Sequence, residues 1–318
     1  MSHAASEGIE ANQSQLSSYS VHISSRNNFP TAAGLASSAA GFAALVSSLA
    51  ALYKLPSSAS ELSRIARQGS GSACRSLFGG YVAWEQGSKP DGSDSLAIEI
   101  APQSHWPDIH ALICVVSDDK KGTSSTSGMQ RTVETSPLLQ HRIKEVVPAR
   151  MAAISKAILA KDFDTFAEIT MQDSNQFHAV ALDTYPPIFY MNDVSRAIIA
   201  VITEYNRVAK EKTGHLKAAY TYDAGPNAVI YTPKENVKEI IELIVKYFPQ
   251  TSAFSDPFGL FAGQGVGAGA VPEGFNPAVA KAFPAGSVKG LIHTKVGDGP
   301  RVLDASEALL GPDGLPKA

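Results

Sequence analysis

Four short strings combine residue types that can do chemistry. The first is Pro30-Thr31-Ala32-Ala33-Gly34-Leu35-Ala36-Ser37-Ser38-Ala39, a glycine- and serine-rich turn leading into a run of small apolar residues. If that run is a helix, its free N–H groups and the positive end of its dipole converge at the turn, which suits a phosphate. Gly34 and its small neighbours let the backbone approach an anion, and the serines add donors. An ordinary serine-capped helix start explains the same residues. The string is not a Walker A loop, because no Gly-Lys-Ser/Thr follows. The second string is Gly69-Ser70-Gly71-Ser72-Ala73-Cys74-Arg75-Ser76. A guanidinium at Arg75, with Ser70 and Ser72 beside it, can grip a carboxylate or phosphate through two parallel hydrogen bonds. The competing reading is a surface arginine on a mobile loop. Cys74 carries no local feature that argues for a thiolate and reads as a small buried filler.

The third string, Tyr220-Thr221-Tyr222-Asp223-Ala224-Gly225-Pro226-Asn227-Ala228, sets an aspartate between an expected strand and a Gly-Pro turn. There Asp223 is either a base or hydroxyl-orienting group, or a turn residue bonded to its own backbone. The fourth is the polar stretch Lys120 to Gly128 with Ser124, Ser125 and Thr126, which either contacts phosphates or is solvated. The eight histidines form no His-x-x-x-His pattern, and no Cys-x-x-Cys occurs. Gly263-x-Gly265-x-x-Ala268 echoes a dinucleotide fingerprint but lacks its preceding strand and later acidic partner.

Positioning these residues requires a mixed scaffold. Met1 to Ser20 reads as a flexible lead and Val21 to Ser24 as a short strand. A buried helix is expected over about Ser37 to Tyr53, enclosed on most sides. A second helix is capped by Ser60 and runs through Arg67, and strands near Gly79–Trp84 and Ser95–Ile100 flank a Pro90-Asp91-Gly92 turn. A boundary falls near Pro107, giving 1–20 as lead, 21–108 as an N-terminal domain and 109–318 as a C-terminal domain. Beyond it the pattern predicts strands at Ala111–Val116, Leu216–Tyr222, Ala228–Tyr231 and Gly290–Lys295. Helices are expected near Leu138–Ala160, Asp162–Phe177, Asp193–Lys212 and Lys234–Phe248. That order is an α+β, ferredoxin-like layer with extra helices. Phe258 to Ala270 reads as a surface loop.

The 318 residues suffice for about two domains. A hydrophobic fraction of 44% and a charged fraction of 18% exclude a disordered chain. A net charge of −3 offers no basic excess for nucleic acid or an anionic membrane. No apolar run reaches the length of a membrane helix, no secretory signal is present, and two cysteines suit a reducing compartment.

Taken together and in order, the strings carry a resemblance. Pro30 to Ala39 is similar to the phosphate loop of the GHMP kinase superfamily. Asn27-Asn28-Phe29-Pro30-Thr31-Ala32-Ala33-Gly34-Leu35-Ala36-Ser37-Ser38, Gly69 to Ser76, Glu134-Thr135-Ser136-Pro137, Asp173-Ser174-Asn175-Gln176-Phe177-His178, Asp223 to Ala228 and Gly311-Pro312-Asp313-Gly314-Leu315-Pro316 resemble the diphosphomevalonate decarboxylases. The resemblance implies the two-lobed GHMP kinase fold. It also implies ATP- and Mg2+-dependent conversion of mevalonate 5-diphosphate to isopentenyl diphosphate, phosphate and CO2, in isoprenoid and sterol synthesis. By the same resemblance, Asp223 orients and deprotonates the C3 hydroxyl, and Arg75 holds the carboxylate. Ser70, Ser72 and Ser125 contact substrate, while Gly34, Leu35, Ala36, Ser37 and Ser38 cradle the triphosphate; the magnesium ligands stay unassigned. A cytoplasmic homodimer is implied as well. Members of the family carry a Lys-Tyr-Trp-Gly-Lys-type segment well before the phosphate loop, and that string does not occur here. The expectation is therefore an incomplete N-terminal domain, with unpaired strand edges and an exposed apolar face. Two other readings stay open: a catalytically impaired fragment or non-catalytic subunit of such an enzyme, and another GHMP small-molecule kinase.

Overall fold

A computed structural model describes residues 18, 20–31, 34–117 and 125–317. The chain forms two compact units. One comprises Met1–Phe29, Ser37–Glu99 and Asp298–Ala318; the other comprises Pro30–Ala36 and Ile100–Gly297.

In the first unit, helix α1 (Ser37–Leu52) packs on α2 (Ala59–Gly69), and a 3-10 turn (Gly71–Leu77) follows. Ala39, Ala43, Ala66, Ala73 and Leu77 form the seam, where small side chains permit close helix approach. The expectation that α1 is enclosed on most sides is not met. Its buried residues are Ala39, Ala43 and Ala50, and Phe42, Leu45, Leu49 and Leu52 line an open apolar groove with Val21 and Leu309. Val21–Ser24 forms no strand, having no ladder partner among the described residues. The cap of α2 is Ser58 rather than Ser60. A capping box needs its glutamate three residues after the cap, and Glu61 accepts from the Ser58 N–H at 2.7 Å. Strands β1 (Tyr81–Trp84) and β2 (Ala97–Ala101) make a two-stranded sheet.

In the second unit, β3 (Ile109–Val115), β4 (Ala219–Tyr222), β5 (Ala228–Pro233) and β6 (Gly290–Lys295) form an antiparallel sheet in the order β4-β5-β3-β6. Each crossover skips one strand, the split-βαβ arrangement expected of a ferredoxin-like layer. Residues two apart share a sheet face, so Leu112 and Cys114 join Ala228, Ile230 and Leu291 beneath α7 (Asp193–Thr213) and α8 (Val237–Tyr247). Ile198, Val201, Ile202 and Tyr205 of α7 are almost fully buried in this core, as are Ile240, Ile241 and Ile244 of α8.

The polar stretch after β3 is not a loop throughout. Residues 118–124 lie outside those described, but Ser125–Thr135 is a helix, α3. The single helix expected over Leu138–Ala160 is broken into α4 (Pro137–His141), a π turn (Arg142–Val146) and α5 (Val147–Ala160). Pro148 has no N–H to give a carbonyl four residues earlier, and the backbone changes register just ahead of it. Helix α6 (Phe163–Asp183) runs six residues past its expected end and packs beside β4. No helix among the described residues is long and apolar enough to cross a membrane.

Candidate functional site

Asp223 stands exposed at the end of β4, on a turn held from several sides. The buried Asn227 side chain accepts hydrogen bonds from Val116 N–H at 2.6 Å and Ser117 N–H at 2.9 Å, and donates to Ser117 O at 2.9 Å. These bonds staple the start of β5 to the end of β3. Ser195, within the α7 cap, donates to Pro226 O at 2.8 Å, and Tyr222 Oη donates to Ser195 O at 2.9 Å. On the other side Ser174 Oγ accepts from Tyr222 N–H at 3.0 Å. A carboxylate on so fixed a base loses little freedom when it binds a hydroxyl.

The glycine loop meets this turn within the same unit. A Cβ on Gly34 would lie 2.8 Å from Gly225 N and 2.9 Å from Gly225 Cα, and Gly34 has φ +74°. Both conditions demand glycine. Ala36 also has a positive φ, 56°. Leu35 thus lies between two residues of positive φ, the kind of alternation from which backbone anion-binding nests are built. Ala32 and Ala33 lie outside the described residues.

Helix α6 carries a buried side chain to which the sequence assigns no task. His178, on α6, is 4% exposed, with the rings of Phe177, Tyr190 and Tyr222 around it. Its Nε2 has no hydrogen-bond partner among the described residues. Burial pulls its pKa below the usual histidine value, while a hydrogen bond to the Tyr222 backbone and the charge of Asp223 act the other way. Tyr190 feels the same carboxylate: burial and Asp223 raise its pKa, and Arg131 of α3 opposes them.

In the first unit, Ser38 Oγ and Ser70 Oγ are 3.1 Å apart, bringing together two predicted ligand residues that are distant in sequence. Ser37 and Ser38 open α1, whose first turn carries no acidic residue to compete with an anion. Ser72 and Arg75 lie three apart on a 3-10 turn, so they share one face. The opposite face is anchored: Ala73, Cys74 and Leu77 are buried, and Ser63 Oγ of α2 donates to Cys74 O at 2.8 Å. Arg75 is therefore an exposed cation on a fixed base rather than on a mobile loop. Burial raises the Cys74 thiol pKa, and that of Cys114 to about 12, so both are inert fillers.

Asp173 proves to be structural. Arg142 Nη1 and Nη2 donate to its two oxygens at 2.7 and 2.8 Å, and Arg150 donates at 3.0 Å. Both arginines also donate to Gln176 Oε1, at 2.8 and 3.2 Å. Burial raises the Asp173 pKa, but the two guanidinium groups outweigh it and the net shift is downward. This clamp fixes the stretch of α6 that carries Ser174 and His178.

Comparison with known proteins shows the family. Residues 3–97 match the diphosphomevalonate decarboxylase-like N-terminal domain, and residues 111–303 match the mevalonate 5-diphosphate decarboxylase C-terminal domain. A diphosphomevalonate decarboxylase of Ganoderma lucidum is 80% identical over 311 residues, covering 98% of this chain and 78% of its own length. The structure of mevalonate diphosphate decarboxylase from Trypanosoma brucei is 39% identical with a TM-score of 0.77, covering 90% of this chain and 73% of that one. Another structure, MDDEF in complex with MVAPP, AMPPCP and magnesium, is 36% identical with a TM-score of 0.60, covering 70% of this chain and 65% of that one. With both lobes matched and the glycine loop, arginine turn and aspartate turn in place, the chain belongs to the diphosphomevalonate decarboxylase family.

Proposed function

We propose that this chain converts mevalonate 5-diphosphate and ATP to isopentenyl diphosphate, ADP, phosphate and CO2. The observation that carries the reading is that this chain of the family keeps both Asp223 and Arg75, each exposed on a buried, hydrogen-bonded base within its own unit. A small-molecule kinase that stops at phosphorylation needs the aspartate but has no use for a grip on a carboxylate.

Bound ATP supplies the γ-phosphoryl group, and Mg2+ neutralises phosphate charge. The residues present fit both. Gly34 and Ala36 both have positive φ in the loop that leads into the helix, and Ser37 and Ser38 begin that sixteen-residue helix. Among the described residues no group of three His, Cys, Asp or Glu forms a ready-made metal cage.

In this reading Asp223 accepts a hydrogen bond from the C3 hydroxyl and takes its proton as the new O–P bond forms. A tertiary alcohol is crowded and weakly nucleophilic, so fixed orientation is the main contribution. Main-chain N–H groups of Gly34 to Ser38 hold the transferring phosphates, with the Ser37 and Ser38 hydroxyls beside them. Ser125, at the N-terminus of α3, binds the substrate diphosphate. Ser70 and Ser72 flank the substrate on the arginine side. Arg75 then holds the substrate carboxylate while the phosphorylated oxygen departs. The C–C bond electrons form the new double bond, and CO2 leaves. We assign the chain to the cytoplasm as a homodimer, which sedimentation velocity tests.

The decisive assay follows ADP, phosphate and CO2 separately with the purified chain. One of each per turnover is expected. Asp223→Asn should lower ADP formation by about 10²- to 10⁴-fold. Arg75→Gln should lower CO2 release by about 10²-fold. ADP formation without CO2 from the wild-type chain would replace this reading with a simple kinase. No turnover at all would favour a non-catalytic subunit.

A further inference from the structure

The ladder between β3 and β5 stops short of the aspartate turn, and one side chain continues it. Paired residues run from Ile109–Pro233 to Cys114–Ala228. Beyond that last pair the two strands part: β3 runs on into the polar stretch ahead of Ser125, and the residues before β5 are the turn that carries Asp223. Asn227 sits at this fork and is 1% exposed. Its Oδ1 accepts from the N–H groups of Val116 and Ser117 at 2.6 and 2.9 Å, and its Nδ2 donates to Ser117 O at 2.9 Å. One planar amide thus replaces the missing rungs. An aspartate would offer the same acceptors but no donor for Ser117 O. An apolar side chain of the same shape would take these partners from two main-chain N–H groups and a carbonyl.

The turn itself is short. Tyr222 pairs with Ala228, so Asp223 and Asn227 hold the next positions, one on each arm of the β4–β5 connection. Gly225 N–H donates to Asp223 O at 2.7 Å between them. Gly225 also lies so near Gly34 that a Cβ there would come within 2.8 Å of its N. The turn is therefore held between the glycine loop at Gly225 and the end of β3 at Asn227.

We propose that Asn227 is a positioning residue that acts through Asp223. It fixes how far the turn stands from β3, and so where the carboxylate lies relative to phosphates held at the glycine loop. The inference rests on the reading of Asp223 given above. Asn227 touches no substrate in this arrangement; its effect passes through four residues of main chain. Phosphoryl transfer to a hydroxyl depends on alignment, and a base displaced by about 1 Å loses about 10²-fold in rate.

A second buried asparagine provides the control. Asn206 of α7, 4% exposed, makes the same pattern at the other end of β4. Its Oδ1 accepts from Lys217 and Ala218 N–H, both at 3.1 Å, and its Nδ2 donates to Ala218 O at 2.8 Å. Ala218 is five residues from Asp223, about 17 Å along an extended strand. The two side chains match in burial and bonding and differ in their distance from the carboxylate.

The test compares Asn227→Ala and Asn206→Ala in the full chain, alone and combined with Asp223→Asn. Both single variants should lower the urea midpoint by similar amounts. Without turnover, the main-chain amide NMR signals of Asp223, Gly225 and Gly34 should move in Asn227→Ala and stay in place in Asn206→Ala. Signals unmoved in Asn227→Ala overturn the proposal. With turnover, assayed well below the melting temperature, Asn227→Ala should lower kcat for ADP release by about 10²-fold at unchanged KM for ATP, and Asn206→Ala should keep the wild-type kcat. Added to Asp223→Asn, Asn227→Ala should cause no further loss, because the group it acts through is already gone. Equal kcat in the two alanine variants, or a full loss on top of Asp223→Asn, would overturn the proposal. If Asn227→Ala folds poorly, Asn227→Asp carries the test. It keeps the acceptor for both N–H groups but turns an oxygen against Ser117 O, so kcat should fall at least about tenfold, and a wild-type kcat there overturns the proposal. The reading of Asp223 fails separately, if Asp223→Asn keeps full activity.

Discussion

Gly34 tests most sharply whether the glycine loop and the aspartate turn work as one piece. Alanine at this position meets two penalties. At φ +74° an L side chain costs about 1–2 kcal/mol, because its Cβ crowds the following carbonyl. The new Cβ would also lie 2.8 Å from Gly225 N and 2.9 Å from Gly225 Cα, against ordinary contacts of 3.4 Å or more. These are backbone atoms, so no side-chain rotation relieves the overlap. Overpacking of this kind costs about 1–3 kcal/mol. Gly34→Ala should therefore destabilise by about 2–5 kcal/mol. The relief route is a shift of one loop against the other by roughly half an ångström. Since phosphoryl transfer depends on positioning, kcat should fall by about 10²-fold. Gly41 is the internal control. It lies mid-helix in α1, and a Cβ there meets nothing within 4 Å, so Gly41→Ala should stabilise by up to about 1 kcal/mol. Urea unfolding and steady-state ADP release, run on both variants, decide the matter. Wild-type stability and kcat in Gly34→Ala would refute the argument that this approach of two backbones sets the site.

Two further outcomes follow from buried polar groups. His110 Nδ1 and His293 Nε2 are 2.7 Å apart within the second unit, and burial, with His110 adding to it, lowers the His293 pKa to about 4. The folded pKa lies below the unfolded value of about 6.5. The unfolded chain therefore binds the proton first, and stability falls as pH drops from 6.5 towards 4, by about 3 kcal/mol across that window. Urea midpoints measured at pH 7 and pH 5 should show this slope, and His293→Gln should flatten it; equal slopes in both chains would contradict the assignment. Ser63→Ala removes the hydroxyl that donates to Cys74 O beneath the arginine turn. A loss of about 1–2 kcal/mol is expected, together with a kcat decrease that a merely destabilised protein, assayed well below its melting temperature, would not show.

The strings were readable because the loop and turn conformations that shape them are local. Gly34, the serines of the α1 start and Asp223 each sit within a few residues of the chain features that define their geometry. The split-βαβ order was legible for a similar reason, since strand and helix periods alternate along residues 109–295. The misreadings have different causes. The cap of α2 moves from Ser60 to Ser58 because Glu61 reaches back three residues. Helix α1 keeps an open apolar side because its packing partners are decided elsewhere in the fold.

What the sequence determined by itself is the chemical inventory: a glycine- and serine-rich loop ahead of a small-residue run, one cation three residues from a serine, and one carboxylate on a Gly-Pro turn. Tertiary structure alone decided which groups are spent on the scaffold and which are left to act. Asp173 and Asp223 are both aspartates in polar strings, yet the first is neutralised by Arg142 and Arg150 while the second stands exposed on a stapled turn. Asn227 gains meaning only when β5 is laid against β3, because burial and hydrogen-bond partnership are properties of packing. Neither can be carried by neighbours in the chain, since both depend on groups tens of residues away that meet when the core closes.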